Sequence, residues 1–350
     1  SMTTTIKQAK PFARNHLIRD AISKAIYDSM KEDSSIYLFG EGCEVKQFYD
    51  APYILSEFSN RATTMPIAED GGINFCVGAS LLGVKPIFDV ISADFLYRAM
   101  DGIANTAAKL NFVRPNETPK TIVIRAEFLT GGPSTGQRPE ALFAHVPGLN
   151  VVIPSTPRDA YGLMLTALKT PGVTLFFEDR EIPDDSFDET DSVLGEAIPF
   201  GRLAVRWLKM PTLTSGDRKI PNATVVTYGL SRYRVERLVN EWMAGWDGDH
   251  LEEPNLEIDL LDLRSIYPVD WDGLKHGRYG LARTGHLLII EPDIQYGGVG
   301  AEIAATIAEE MPYVKVRRLG AKRQTVPASP ALQSQVFPTD EEVVRAITSW

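Results

Sequence analysis

Continuous apolar segments alternate with segments of helical periodicity along the first half of the chain, and this alternation is the strongest constraint on the fold. The helical spacing is clearest from Leu17 to Glu32, where apolar residues recur every three to four positions. Strands that are apolar on both faces are typical of a parallel sheet covered by helices on both sides. The predicted strands are SIYLFG (35–40), KPIFDV (85–90), KTIVIRAEF (120–128), LNVVIPS (149–155) and VTLFFED (173–179), and the other predicted helices are 71–82, 94–112 and 158–169.

A second series of the same kind follows a polar, turn-rich stretch at 180–222. We therefore predict an α/β protein with two parallel-sheet domains, at 1–200 and 223–350, joined by a linker at 201–222. A chain of 350 residues fits two domains of roughly 150 residues each. The strands predicted in the second domain are ATVVTYG (223–229), EIDLLDLRSIYP (257–268), HLLIIEP (286–292) and VKVRRLG (314–320), and its helices end at Trp242 or span Val299 to Glu310 and Asp340 to Ser349.

Charge and cysteine content exclude several classes of function. The chain has 36 Lys and Arg against 46 Asp and Glu, a net charge of −10, without a cluster of basic residues that would bind nucleic acid. Its two cysteines, Cys43 and Cys76, are too few for a disulfide framework or a four-cysteine zinc site. The longest uncharged apolar stretch, Gly71 to Val84, is shorter than the roughly 20 residues of a membrane span, and the N-terminus lacks the pattern of a signal peptide. We therefore expect a soluble, cytoplasmic protein that binds neither nucleic acid nor membranes.

Local signatures of catalysis are few. The sequence has neither a GxxxxGK[ST] phosphate loop nor an HExxH zinc motif, and its five histidines show no metal-ligand spacing, so no metal site is predicted within the chain. The segment YGGVGAEI (296–303) follows a predicted strand and opens a predicted helix. Its N–H groups are suited to binding an anion, and its glycines are equally suited to close packing of the strand against the helix.

An acidic pair, Glu69-Asp70, precedes the predicted helix of small apolar residues at 71–82, within the segment MPIAEDGGINF (65–75). A helix that is apolar on all sides is expected to be buried. One interpretation is that the carboxylates cap this helix and interact with its dipole. The other is that a semi-buried glutamate with a raised pKa exchanges a proton with a ring nitrogen of a bound molecule. The pattern alone leaves both interpretations open.

Six segments in a fixed order carry a resemblance to a known family. They are IAEDGGINFCVGASLLGVKPIFDV (67–90), DFLYRAMDGIANTAAKL (94–110), RPEALFAHVPGLNVVIPSTPRDAYGLMLTAL (138–168), ATVVTYG (223–229), DLRSIYPVDWDGL (262–274) and IIEPDIQYGGVGAEIAA (289–305). The series resembles the β subunits of thiamine diphosphate-dependent 2-oxoacid dehydrogenases, a family that includes the pyruvate, branched-chain and acetoin enzymes. The resemblance spans nearly the whole chain and implies a transketolase-like pyrimidine-binding domain followed by a transketolase C-terminal-like domain. It is more specific for the fold than for the substrate.

The resemblance also implies a cofactor site shared between two subunits. In this family an α subunit holds the diphosphate and Mg²⁺ of thiamine diphosphate through a Gly-Asp-Gly motif, which this sequence lacks. An α partner is therefore implied. The resemblance also implies a dimer of αβ units and a structural K⁺, and a lipoyl acyltransferase is the family's usual further partner. Glu69 aligns with the family's catalytic glutamate, which protonates the aminopyrimidine ring so that the thiazolium carbon can lose its proton.

Three more residues align with positions that surround the cofactor in the family. Phe95, in SADFLYRAMD (92–101), falls where the family places an aromatic ring against the pyrimidine, and a core aromatic is the alternative interpretation. Arg98, three residues further along, occupies a position expected to be neutral or polar, and it changes the charge of the predicted pocket. Glu41, in GEGCEV (40–45), matches the family's acidic residue after the first strand.

The main departure from the family lies in the loop at 129–139. Before the PEALFAH-like segment the family has His-Ser-Gln, and this histidine assists acyl transfer to lipoamide. The aligned residues here are Thr135, Gly136 and Gln137, and His145 matches a different family histidine rather than replacing the missing one. Because the pKa of a threonine hydroxyl lies far above neutrality, Thr135 cannot shuttle the same proton. Cofactor activation by Glu69 is compatible with this change, whereas acylation of lipoamide is put in question.

The sequence therefore predicts a β-type subunit of a thiamine diphosphate enzyme that cleaves a 2-oxoacid with loss of CO₂ and passes on the acyl or aldehyde unit. Replacement of the histidine by Thr135 leaves a second hypothesis, a transketolase-like or carboligating enzyme with a non-lipoyl acceptor. A third hypothesis is a degenerate, non-catalytic subunit that keeps the fold for a structural role.

Overall fold

A computed structural model describes residues 18–41, 52–130, 132, 134–183, 186–210, 222–244 and 256–350, so Cys43 and most of the predicted linker lie outside the described residues. The first sheet has seven strands, which are β1 (Ile36–Gly40), β2 (Ala62–Thr64), β3 (Lys85–Ser92), β4 (Thr121–Phe128), β5 (Leu149–Val152), β6 (Gly172–Asp179) and β10 (Ser265–Tyr267). Their order across the sheet is β10-β5-β6-β4-β3-β1-β2, and every pairing except that of β10 with β5 is parallel.

Helices cover both faces of this sheet. One apolar cluster joins α1, α2 and α6 to one face, and a second joins α3 and α5 to the other face. Every residue of the central strand β4 is buried, as expected for a parallel strand covered on both sides. The helices are α1 (Ile18–Glu32), α2 (Pro52–Glu57), α3 (Glu69–Leu81), α4 (Leu110–Val113), α5 (Glu140–Ala144), α6 (Pro157–Ala167) and α7 (Glu189–Ser192).

The second sheet has five strands in the order β12-β11-β8-β9-β7. The helices α8 and α13 pack on one face, while the other face contributes to the apolar cluster that also contains α3, so this core continues across the domain boundary. Two α/β domains are therefore confirmed. The elements are β7 (Ala204–Met210), β8 (Ala223–Thr227), α8 (Leu230–Ala244), β9 (Leu256–Asp262), β10 (Ser265–Tyr267), α9 (Trp271–His276), α10 (Leu281–Thr284), β11 (His286–Ile294), α11 (Val299–Glu310), β12 (Lys315–Ala321), α12 (Pro330–Gln333) and α13 (Asp340–Thr348).

Two strands depart from the boundaries predicted from the sequence. Residues 204–210, assigned above to the linker, form β7, an edge strand that pairs antiparallel with β9. Exposed and partly buried residues alternate along β7, so it lacks the continuous apolar run that marked the parallel strands. The predicted strand at 257–268 divides at Arg264, which has a positive φ of 59°, and its second part, β10, joins the first sheet beside β5.

Two predicted helices also differ. The segment predicted as one helix at 94–112 consists of a 3₁₀ turn (Ala93–Tyr97), a π-helical segment (Gly102–Ala107) and α4. The regular pattern is interrupted where the Gly102 N–H donates to Asp70 Oδ1 at 3.0 Å, outside its own helix. The helix α3 was predicted to be buried on all sides, but in the single chain one of its faces is exposed, including Gly78 and Phe75. Among the described residues, no helix has the length and hydropathy needed to cross a membrane.

A close contact sets the position of α3 against the sheet. A Cβ atom added to Gly72 would lie 2.1 Å from Cζ of Phe88, a fully buried residue of β3. Only a glycine lets the helix backbone come this near to the ring. The contact lies one turn from Glu69, at the start of α3, and it fixes how far the helix stands from the strands.

We expect Gly72→Ala to destabilise the chain by about 1–3 kcal/mol or more, because the added methyl group overpacks the contact with Phe88. Gly78→Ala is the matched control in the same helix, since no atom lies within 4 Å of a Cβ added there. Alanine should stabilise α3 at that position by up to about 1 kcal/mol. Urea unfolding followed by circular dichroism measures both, and equal effects of the two changes would contradict this account of the packing.

Candidate active site

The carboxyl ends of the parallel strands bring the predicted site residues to one edge of the first sheet. Strand β1 lies between β2 and β3, so the next strand in sequence, β2, is added on one side of β1 and the following strand, β3, on the other side. Ligands of open α/β sheets bind in the crevice at such a switch point. The predicted residues follow the strands as Glu41 after β1, Glu69 after β2, Phe95 and Arg98 after β3, and Thr135 and Gln137 after β4.

Two carboxylates meet at the start of α3. Glu41 is buried, and its Oε1 accepts a hydrogen bond of 2.9 Å from the N–H of Ala68, the residue before the helix. Burial raises the pKa of Glu41, the Ala68 N–H lowers it, and the nearby charge of Glu69 raises it further. Glu41 therefore holds the backbone that presents Glu69.

Glu69 lies at the first position of α3 and is 6% exposed. Among the described residues, no hydrogen bond reaches its carboxylate, and its ionic partner is Arg98, whose Nε lies 3.6 Å from Oε2. The Arg98 side chain is 76% exposed, so solvent screens this pair and its contribution to stability is small. Phe95, three residues before Arg98, is half-buried and packs against the apolar cluster that also contains residues of α3. The arrangement leaves a nearly buried carboxyl group that has an ionic partner but no hydrogen bond from the described residues.

The loop after β4 is tied to the 3₁₀ turn that carries Phe95. Both oxygens of the buried Asp94 accept main-chain hydrogen bonds, from Gly136 at 3.2 Å and from Gln137 at 3.0 Å. Thr135 is half-buried, and its Oγ accepts a bond of 3.0 Å from the N–H of Gly132. Sequence reasoning missed Asp94, although an acidic residue directly after a buried strand was a usable signal.

His145 lies apart from this loop. It is exposed at the C-terminal end of α5 and lines a groove of about 850 Å³ that Tyr267 and Trp271 also line. That His145 does not replace the histidine missing at Thr135 stays a prediction.

The glycine-rich segment at 296–303 binds a carboxylate of the chain itself. The Gly300 N–H in the first turn of α11 donates to Oε2 of Glu291 at 2.9 Å. A Cβ added to Gly298 would lie 2.5 Å from the same oxygen, so the glycine makes room for the side chain. The segment was predicted to be suited to binding an anion, and the anionic group that it binds is the Glu291 side chain of the same chain. Burial raises the pKa of Glu291 to about 7, against the lowering effect of the Gly300 N–H.

A group of buried charges lies behind the loop, at the boundary of the two domains. Arg138 pairs with Glu140 at 2.9 Å and with Asp179 at 3.1 Å. Asp293 of β11 lies near them, and burial, followed by the charge of Glu140, raises its pKa to about 9. Glu140 is two residues from Arg138, whereas Asp179 and Asp293 are distant in sequence, and local patterns gave no sign that these two lie near Arg138.

Comparisons with known proteins agree with this architecture. The family model "Transketolase, pyrimidine binding domain" matches residues 16–183, and "Transketolase, C-terminal domain" matches residues 216–343. The "Split gene transketolase, inactive beta4 tetramer" superposes with a TM-score of 0.73 at 21% identity, over 95% of this chain and 97% of that chain, which supports the fold. Fold and site together define a transketolase-like protein.

The similarity to sequences of known function is more specific. The pyruvate dehydrogenase E1 component subunit beta of Rickettsia bellii is 28% identical over 94% of this chain and 97% of its own length. The 2-oxoisovalerate dehydrogenase subunit beta of Bacillus subtilis is also 28% identical, over 94% of this chain and 96% of its own. The chain belongs to the transketolase family that the two domain models define, and the relatives to which its sequence is similar are β subunits of pyruvate and branched-chain 2-oxoacid dehydrogenases.

We expect Asp293→Asn to remove part of the pH dependence of stability. The folded pKa of Asp293, about 9, is above the unfolded value of about 3.9. Between these values the folded state holds a proton that the unfolded state has lost, so this group makes stability fall by about 1.4 kcal/mol per pH unit. The free energy of unfolding of the asparagine variant should therefore rise relative to that of the wild type as pH increases from 6 to 8.

Urea unfolding at pH 6, 7 and 8 measures this difference. Asp272→Asn, at an exposed carboxylate, is the control and should leave the pH dependence of the wild type unchanged. Parallel stability curves for the wild type and Asp293→Asn would show that Asp293 is already ionised in the folded chain.

Proposed function

We propose that the chain is the β-type subunit of an enzyme that cleaves a 2-oxoacid with loss of CO₂ and transfers the resulting acyl or aldehyde unit. The observation that carries the proposal is Glu69, a carboxyl group that is 6% exposed at the carboxyl edge of a parallel sheet, with no hydrogen bond from the described residues. Its ionic partner among the described residues is the largely exposed Arg98, and a ring nitrogen that shares its proton would supply the hydrogen bond that it lacks. The residues therefore fit the aminopyrimidine end of thiamine diphosphate.

Each residue of the site has a distinct part in this proposal. When bound, thiamine diphosphate supplies a nucleophilic carbon and a sink for the electron pair left by departing CO₂. Glu69 holds and returns the proton at the pyrimidine nitrogen. Phe95 packs against the ring and excludes water, and Glu41 keeps the start of α3 in place. Burial raises the pKa of Glu41, so a second full negative charge beside Glu69 is disfavoured.

The proposal requires a partner chain. This sequence has no Gly-Asp-Gly motif, so an α subunit would supply the residues that hold the diphosphate and Mg²⁺. The names of the relatives, each a subunit beta, support such a pairing. The exposed face of α3 offers a surface beside Glu69 that a partner would cover. A dimer of αβ units, a structural K⁺ and a cytoplasmic location stay predictions.

The acceptor of the acyl unit is the point at which two functions compete. A lipoyl domain is the acceptor implied by the family, whereas Thr135 favours a transketolase-like or carboligating reaction with a small acceptor. The Thr135 hydroxyl already accepts a bond from Gly132, and a threonine does not titrate near neutral pH. The observation that favours the non-lipoyl acceptor is therefore the absence of a titratable group at position 135. A non-catalytic subunit is the alternative to both.

We expect Glu69→Gln to lower 2-oxoacid-dependent turnover by about 100-fold or more, because glutamine cannot transfer the proton. The assay follows reduction of ferricyanide by the chain co-purified with its partner, after native mass spectrometry has identified the partner and bound thiamine diphosphate. Asp101→Asn, at an exposed side chain that receives a bond from Asn105, is the control and should keep full activity. Full turnover by Glu69→Gln would exclude the proton-transfer role, and a cofactor-free assembly would favour the non-catalytic alternative.

We expect Thr135→His to introduce or accelerate acylation of an isolated lipoyl domain by about 10-fold or more, since an imidazole titrates near neutral pH. Thr135→Asn is the matched control, because it provides a polar side chain of similar reach that does not titrate. Mass spectrometry of the lipoyl domain measures the transfer. If the wild type acylates the domain as fast as Thr135→His does, a lipoyl acceptor does not depend on this histidine.

A further inference from the structure

The loop that carries Thr135 and Gln137 is held from both domains. On the side of the first domain, Asp94 accepts the main-chain bonds of Gly136 and Gln137. On the side of the second domain, Val326 lies against Gly136, whose φ is +106°, and a Cβ added to this glycine would lie 3.1 Å from the Val326 Cβ. The main chain at 136–137 therefore has little room to shift without moving one of these neighbours.

Arg138, the next residue, connects this loop to the buried charges. Its side chain is 8% exposed. Its Nε donates to Oε1 of Glu140 at 2.9 Å, its Nη1 donates to Oδ2 of Asp179 at 3.1 Å, and its Cζ lies 3.7 Å from the centre of the Phe128 ring. A guanidinium that is paired with two carboxylates and stacked on a ring is fixed in direction as well as position.

Asp179 extends the connection into the second domain. The oxygen that receives the Arg138 bond, Oδ2, also accepts a bond of 2.9 Å from the N–H of Leu230, the first residue of α8. The approach is close because the residue before it is Gly229, with a φ of +51°, and a Cβ added there would lie 2.8 Å from the same oxygen. One carboxylate oxygen thus joins the second domain to Arg138.

The charges around Arg138 make this arrangement hard to release. Glu140, Asp179, Glu291 and Asp293 are all buried, and they lie on both sides of the domain boundary. Removing a buried ion-pair partner leaves an uncompensated charge, at a large cost in stability. The position of the Arg138 guanidinium is therefore fixed for a given arrangement of the two domains.

We propose that Arg138 is a positioning residue through which the second domain, acting by way of Leu230 and Asp179, sets the place of the loop that carries Thr135 and Gln137. The structural part of this inference stands on these contacts alone. The effect on turnover rests on the function proposed above, since it assumes that the loop faces the reacting end of the site.

Two variants test the connection at different points in the purified assembly of the chain and its partner. Arg138→Lys keeps the charge but loses the two-pronged geometry. Asp179→Asn keeps the shape of the side chain but can no longer accept with full charge from both Arg138 and Leu230. The control is Arg283→Lys, in the second domain and away from the loop. This change disrupts the two hydrogen bonds, of 2.8 and 2.6 Å, that Arg283 donates to the buried Asp259.

Hydrogen exchange measured by mass spectrometry over residues 129–138 should speed up by about 10-fold in both test variants. The KM for the 2-oxoacid or the acceptor should rise by about 5- to 10-fold, while kcat changes by less than about 2-fold, because a displaced loop binds less well. Arg283→Lys should lower the melting temperature about as much as the two test variants do, but it should change neither the exchange rate of the loop nor the KM.

The inference is overturned if exchange over 129–138 and KM change no more in Arg138→Lys and Asp179→Asn than in Arg283→Lys. Arg138 would then contribute to stability only. Failure of the wild-type assembly to turn over a 2-oxoacid would instead count against the proposed function. The exchange comparison, which needs no turnover, would still decide whether the second domain positions the loop.

Discussion

The parallel strands of the first sheet all end at the same edge, and the rest of the site depends on this constraint. Residues from four separate parts of the chain follow β1, β2, β3 and β4, and they arrive within one crevice because the strands run in the same direction. The backbone groups at that edge then need partners, which side chains such as Glu41 and Asp94 provide. The same carboxylates that satisfy the backbone also hold the residues assigned to binding and chemistry.

Burial of charge is the second organising feature, and it is concentrated where the two domains meet. A carboxylate in a poorly solvated position is tolerated when a guanidinium or a helix N-terminus faces it. Arg138 serves Glu140 and Asp179 in the first way, and the start of α11 serves Glu291 in the second. Asp293 has less compensation, and its raised pKa follows from that. The junction is therefore sensitive to proton concentration in a way that an apolar interface would not be.

The sequence could predict features that depend on local patterns and features that depend on a resemblance along the whole chain. Continuous apolar strands gave the two sheets, and a resemblance along the whole chain led to Glu69 and Phe95. Strand β7 was not predicted because exposed and partly buried residues alternate along it at a sheet edge. The irregular segment near Gly102 was not predicted either, and the hydrogen bond found there joins it to Asp70, on a different helix. The pairing of Arg138 with Asp179 was missed for the same reason. These two residues lie on separate elements, and a single sequence contains no sign of which distant charges will meet.

The strand β10 limits how the chain can be divided. It comes from the second half of the sequence but completes the first sheet by pairing with β5. A fragment that stopped at the apparent domain boundary would leave β5 with unpaired N–H and C=O groups, and open strand edges of this kind promote self-association. Residues 265–267 therefore belong to the first sheet although they follow the second-domain strand β9 in sequence. A truncation or a chimeric fusion that removed them would expose this edge of the first sheet.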